Sequence, residues 1–132
     1  LEKLSAEAKK YIAPLPIDYE PDEEAAGMFG LMMMTSGKHT DPENVAKAQA
    51  LKDATMGWFI AQNLKSKFVH LNGNYHSDFK KGIITYLNKY RPGLKIATVC
   101  SVRQDDIKKL GEENEGRADF YICVPTDMTM TY

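Results

Sequence analysis

The apolar positions of this chain follow two different periods. Up to about residue 64 they suit helices with one covered face. Beyond that they gather into short runs rich in β-branched and aromatic side chains, the mark of strands. Ser5 predicts a cap for a short helix through Lys10 and Tyr11, after which Pro14 and Pro16 force extended chain. Pro21-Asp22-Glu23-Glu24 predicts a second helix, with Pro in the first turn and acids at the positive end of the dipole; its body covers residues 25–34. Asp41-Pro42-Glu43 is a stronger start and predicts a long helix through Leu51, Met56 and Ile60 to about Asn63.

The second half reads as strands alternating with helices. Residues 67–72 predict a strand closed by Gly73. Ser77 or Asp78 then caps a helix with Phe79, Ile83, Leu87 and Tyr90 on one face, stopped by Pro92-Gly93. Residues 94–102 form a continuous apolar run and predict a strand buried on both faces, residues 105–113 a short helix, and residues 119–124 a last strand. The predicted fold class is therefore α/β: a parallel sheet of β-α-β-α-β order with right-handed crossovers, after an amino-terminal helical region. The boundary falls between a helical segment, 1–64, and a parallel segment, 65–132, of a single domain or half-domain. Three parallel strands are few for a sheet that needs helices on both faces, so the pattern implies part of a larger three-layer α/β domain.

Composition narrows the function. The chain has 132 residues, 17 Lys and Arg against 18 Asp and Glu, and an apolar fraction of 43%. That is an ordinary globular balance, without the basic excess that nucleic-acid binding needs. No window approaches the ~18 consecutive apolar residues of a membrane span, and the start, Leu1-Glu2-Lys3, is not a signal peptide. Cys100 and Cys123 lack zinc or redox spacing and read as buried thiols. No Gly-rich phosphate loop, nucleophile elbow or His-Glu-x-x-His motif is present.

Chemistry concentrates at Asn72-Gly73-Asn74-Tyr75-His76, the carboxyl end of the first predicted strand, where open parallel sheets bind ligands. Gly73 would let the backbone turn there, and His76 would project from the loop as a metal ligand, a haem contact or a general base. The plainer alternative is that His76 only caps a helix. His70, in mid-strand, reads as a structural histidine, and His39 as an exposed loop residue. On the long helix Gln49, Asp53, Met56 and Ile60 share one stripe, so an amide and a carboxylate stand in line with apolar side chains. Either the face is partly exposed, or the polar groups are buried and need partners. Met28, Met32, Met33 and Met34 cluster on the second helix, a packing pattern more often than a haem or copper ligand set.

Three segments taken in order, residues 48–56 (AQALKDATM), residues 69–76 (VHLNGNYH) with Gly82-Ile83, and residues 118–121 (ADFY), resemble the ChaN-like family of haem-binding lipoproteins. That family sits among the Tiki, TraB and erythromycin esterase proteins, and the resemblance runs from about Ser5 to Pro125. It implies a pocket lined by Gln49, Asp53, Met56, Gly73, Asn74, Tyr75 and His76, with His76 as the iron ligand and Tyr75 as its alternative. It further implies haem as cofactor and a non-enzymatic role in bacterial iron or haem uptake. The place implied is the bacterial cell envelope, periplasmic or outer-membrane-anchored, reached through a lipid anchor on the parent protein. Because the family's domain is about twice this length and opens with a Gly-Glu-x-His type motif, the chain is expected to be its carboxyl-terminal half. The partner is then expected to be a second copy or the missing amino-terminal half. The alternative within the same superfamily is a metal-dependent hydrolase in which His76 holds a divalent metal such as zinc or manganese.

Overall fold

A computed structural model describes residue 1, residues 3–19 and residues 41–129. The chain divides into two compact units, Leu1–Lys65 and Ser66–Tyr132. The predicted second helix, the methionine cluster and His39 lie outside the described residues.

In the first unit Ser5 caps helix α1 (Ala6–Lys9) by accepting the Ala8 N–H at 3.1 Å, and the helix ends one or two residues before the Lys10 and Tyr11 that the sequence suggested. Helix α2 (Pro42–Asn63) forms over nearly the predicted span. Asp41 is its N-cap, accepting the Glu43 N–H at 3.0 Å, and Pro42 supplies the first-turn proline whose missing N–H costs nothing there. Its covered stripe is Asp53, Ala54, Gly57, Ile60 and Ala61. Small residues dominate that stripe, which lets neighbouring chain approach closely: Ala13 is fully buried, and its N–H donates to Thr55 Oγ1 at 3.2 Å.

In the second unit helix α3 (Ile83–Tyr90) buries Ile83, Tyr86 and Leu87. Strands β1 (Val99–Arg103) and β2 (Phe120–Val124) pair in parallel, with Val99 opposite Phe120 and Arg103 opposite Val124. The sheet alternates: Cys100 and Val102 are buried, whereas Val99, Phe120 and Ile122 on the other side are exposed. The parallel α/β class stands, in a sheet of two strands.

The longer β-α-β-α-β order and the three-layer surround are not formed by the described residues. Residues 67–72 are extended but pair with nothing among the described residues, and Val69 and Leu71 are 82% and 89% exposed. An alternating apolar run becomes a strand only when a neighbour takes its backbone groups. The helix expected over residues 105–113 is a loop with one 3₁₀ turn at Glu112–Asn114. The Gln104 side chain explains it, because its amide donates to the Asp106 and Lys109 carbonyls and its oxygen accepts the Gly111 N–H at 3.2 Å. The loop winds round that one side chain, and Asp106 tightens it by accepting the Lys108 N–H at 2.9 Å. The strand expected over residues 94–102, buried on both faces, is shorter and covered on one side only.

Cys100 is buried and Cys123 half-buried, and both are free thiols. The register places them opposite Tyr121 and Val102 respectively, two pairs apart along the ladder.

Asp41→Ala removes the cap of a 22-residue helix. It is expected to lower the stability of the first unit by about 1 kcal/mol. Thermal unfolding followed at the helical circular-dichroism signal should show a melting temperature about 3–6 °C lower.

Candidate functional site

The residues that the sequence singles out fall into two sets, one in each unit. In the first unit α2 carries Gln49, Asp53 and Met56. Asp53 is 5% exposed, so the polar groups of that stripe are indeed covered rather than solvated. Gln49 Oε1 is buried with no hydrogen-bond partner among the described residues. An amide oxygen in that state is costly, and it is poised to accept from a donor brought to it. Met56, two turns further along the stripe, is half-buried.

In the second unit Gly73, Asn74, Tyr75 and His76 lie together on one tight turn. A 3₁₀ turn, Asn74–His76, is followed by another, Asp78–Lys80, and only then does α3 begin. Neither Ser77 nor Asp78 caps α3, whose N-cap is Gly82, and His76 stands seven residues before the first helical residue. Phe79 is exposed rather than on the covered face of α3. Tyr75 and His76 are half-buried, and their rings meet edge to face with centroids 5.8 Å apart. Asn74 Nδ2 donates to the Ser101 carbonyl at 2.7 Å. The Phe120 N–H bonds Thr98 O, and the Gln104 N–H bonds Val124 O. Even-numbered residues of β1 therefore face β2, and Ser101 O belongs to the opposite edge. The turn with Tyr75 and His76 is thus hooked onto the edge of β1 that β2 leaves open.

Gly73 corrects one expectation. Its φ is −65°, an ordinary value for any residue, and a Cβ built on it would meet nothing within 4 Å. The sharp backbone lies further on: Phe79 and Lys80 have φ of 56° and 57°, in the left-handed region that side chains disfavour. What Gly73 provides is open space over its own backbone. His70 is exposed on the extended segment.

The groups that hold this turn were not picked out from the sequence as a site. Arg117 grips Asp78 Oδ2 through Nε at 3.1 Å and Nη2 at 2.7 Å, and its carbonyl accepts the Phe79 N–H at 2.8 Å. Asp78 Oδ1 accepts the Cys100 thiol at 3.7 Å. Burial pushes that thiol's pKa up, with Asp78 adding to the rise against the opposing pull of Arg117, so Cys100 stays a protonated donor rather than a nucleophile. Lys80 pairs with Asp119 at 2.6 Å, while Asp119 Oδ2 accepts both the N–H and the hydroxyl of Thr98 at 2.8 Å and 3.0 Å. The ammonium of Lys80 first, and then the Thr98 donors, hold the Asp119 carboxyl down at about 2. The sequence signal was Arg117-x-Asp119, two opposite charges directly before an apolar strand.

A family model described as haem-binding uptake, Tiki superfamily, ChaN matches residues 1–87, two-thirds of the chain. The chain belongs to the ChaN family. The match takes in α2, the Asn74–His76 turn and the start of α3, and it gives the chain a haem-related function in general. The residues 118–121 of the sequence resemblance lie beyond it, as do both strands of the sheet. No curated protein and no solved structure matches the chain. Among the described residues no group of three or more His, Cys, Asp or Glu side chains is placed to hold a metal ion.

Two outcomes follow for this ChaN-family chain. Asp119 has a folded pKa below its ordinary 3.8, so the stability it contributes is present above about pH 4 and lost as pH falls toward about 2. Urea midpoints measured across that window should fall steeply in the wild type and less in Asp119→Asn, which starts lower at pH 6. In the first unit, Gln49→Met removes a buried acceptor without a partner. It should leave stability unchanged or raise it by up to about 1 kcal/mol in the same assay.

Proposed function

We propose that the chain is a haem-binding protein of bacterial haem or iron uptake, acting by holding its ligand rather than by catalysis, with Tyr75 and His76 as its iron-facing pair. The observation that carries this reading is the ChaN match over residues 1–87, because that stretch contains a turn on which an imidazole and a phenol stand in contact beside an open glycine backbone.

The residues present fit such a group. Haem requires one or two axial donors from the protein and a close apolar approach to a flat ring. His76 and Tyr75 are donors of the right chemistry, and Gly73 leaves its backbone uncovered. Val69, Leu71 and Phe79, all exposed, bracket the turn in sequence and supply apolar surface. The bound iron would supply any redox chemistry. The protein's part is to present the two rings, to keep their orientation and to exclude water from one side. In the first unit, taken by itself, Gln49 carries a buried oxygen without a hydrogen-bond partner among the described residues, a group that an added donor would satisfy. A place at the cell envelope, a lipid anchor on the parent protein and pairing with a second copy are supported by the resemblance of residues 48–56, 69–76 and 118–121. The hydrolase alternative draws less support, since catalytic zinc takes about three protein ligands.

Haemin titrated into the chain should shift its Soret band with saturation at one equivalent per chain or per pair of chains. His76→Ala or Tyr75→Phe should weaken binding by about tenfold or more, which is about 1.4 kcal/mol per decade, and move the bound spectrum. A Soret band that never shifts, or that shifts equally in both variants, removes this reading. Gly73→Leu separates ligand contact from folding: its backbone needs no glycine, so the melting temperature should hold while haemin affinity falls.

A further inference from the structure

The Tyr75–His76 pair sits in the middle of a five-residue span fastened at both ends. At one end Asn74 bonds Ser101 O on β1. At the other Asp78 is gripped by Arg117 through two guanidinium nitrogens. Within the span the Ser77 N–H bonds Asn74 O at 2.9 Å, and Ser77 Oγ accepts from Asn72 Nδ2 at 3.0 Å. Beyond the second fastening the backbone enters the left-handed region at Phe79 and Lys80, a conformation that persists only where its surroundings enforce it.

We propose that Arg117 is the positioning residue of this turn: it sets the direction in which Tyr75 and His76 face by holding Asp78 with its side chain and Phe79 with its carbonyl. Arg117 is itself immobilised. Its Nη1 donates to Asn114 Oδ1 at 2.6 Å, Asn114 is 5% exposed, and the Arg117 N–H returns to Asn114 O at 3.4 Å. The chain of constraint therefore runs from a buried asparagine through a planar guanidinium to a carboxylate two residues after His76. A lysine could offer Asp78 only a single swivelling ammonium and would lose the fork. Arg117 lies outside residues 1–87, so the family match assigns it nothing. The pair joins residues 39 positions apart, which makes the geometry of the turn depend on the segment that leads into β2.

The inference rests on the haem reading only for its second readout. The first is made without ligand, by nuclear magnetic resonance of the folded chain. The ring-to-ring cross-peaks between Tyr75 and His76 should be present in the wild type, lost in Arg117→Ala and weakened in Arg117→Lys. The methyl signals of Ile83 and Leu87 should stay in place. A role confined to stability would lower the unfolding midpoint and leave those cross-peaks unchanged below it, and that result overturns the proposal. Should Arg117→Ala fail to fold, Asp78→Asn keeps the shape of the side chain and removes the charge; unchanged cross-peaks in that folded variant overturn it equally. The second readout is haemin. Loss of a group that orients a ligand should weaken binding by about 10–100-fold and move the Soret maximum, with Arg117→Lys recovering part of both. A wild type that leaves the haemin spectrum untouched removes the haem reading, while the ring cross-peaks still decide the role of Arg117.

Discussion

The second unit is organised around the ion pair between Arg117 and Asp78. A left-handed backbone at two consecutive residues with side chains, Phe79 and Lys80, costs about 1–3 kcal/mol per residue, and nothing in the local sequence favours it. The segment before β2 offsets that cost from outside. Arg117 takes the Asp78 carboxylate and the Phe79 N–H, and two residues later Asp119 takes Lys80. The same segment sets the register of the sheet, because Asp119 accepts from Thr98 while the Phe120 N–H bonds Thr98 O. One short stretch of chain thus fixes both the turn that carries the candidate ligands and the pairing of the two strands.

This arrangement explains why a small parallel sheet is held at its entry rather than by cover on both faces. Parallel strands ordinarily rely on layers above and below. Here one face buries Cys100 and Val102, and the other presents Val99, Phe120 and Ile122 to solvent. Burial of that one face sets which side chains point inward, and the groups at Thr98 and Asp119 reinforce the register, because donor and acceptor there must match one to one. The thiol of Cys100 joins the network as a weak donor to Asp78, which gives a buried sulfur a polar partner and keeps it unreactive.

How much of this was legible in the sequence follows from the range of the forces involved. Helix α2 was readable because its determinants are local: Asp41 at the cap, Pro42 in the first turn and an apolar stripe at helical spacing all lie within the element. The stripe set Asp53 in line with apolar side chains but left open whether it was covered; it is buried. The turn at Gly73, Asn74, Tyr75 and His76 was found through its residue types and its resemblance. Its conformation was not, since the strained residues are Phe79 and Lys80 and what enforces them is about 39 positions away. Residues 67–72 read as a strand because alternation records a preference, but a strand also needs a neighbour's backbone, which no local pattern contains. The loop after β1 misled in the opposite way. Residues 105–113 carry helix-compatible side chains, yet Gln104 draws their carbonyls to itself.

The division between the residues that would meet a ligand and those that aim them carries a consequence for how the site responds to its surroundings. The guanidinium of Arg117 is charged at any ordinary pH, and the hydrogen bond from it to Asp78 raises its pKa further. Asp119 stays ionised down to about 2. The two groups that the 117–119 segment presents to the turn therefore do not change charge between mildly acidic and alkaline conditions. A frame of that kind holds a fixed geometry while the rings it carries meet a ligand. That separation, a charged clamp behind the two rings, is what the ion pairs at Asp78 and Lys80 provide and what an apolar packing of the same turn would not.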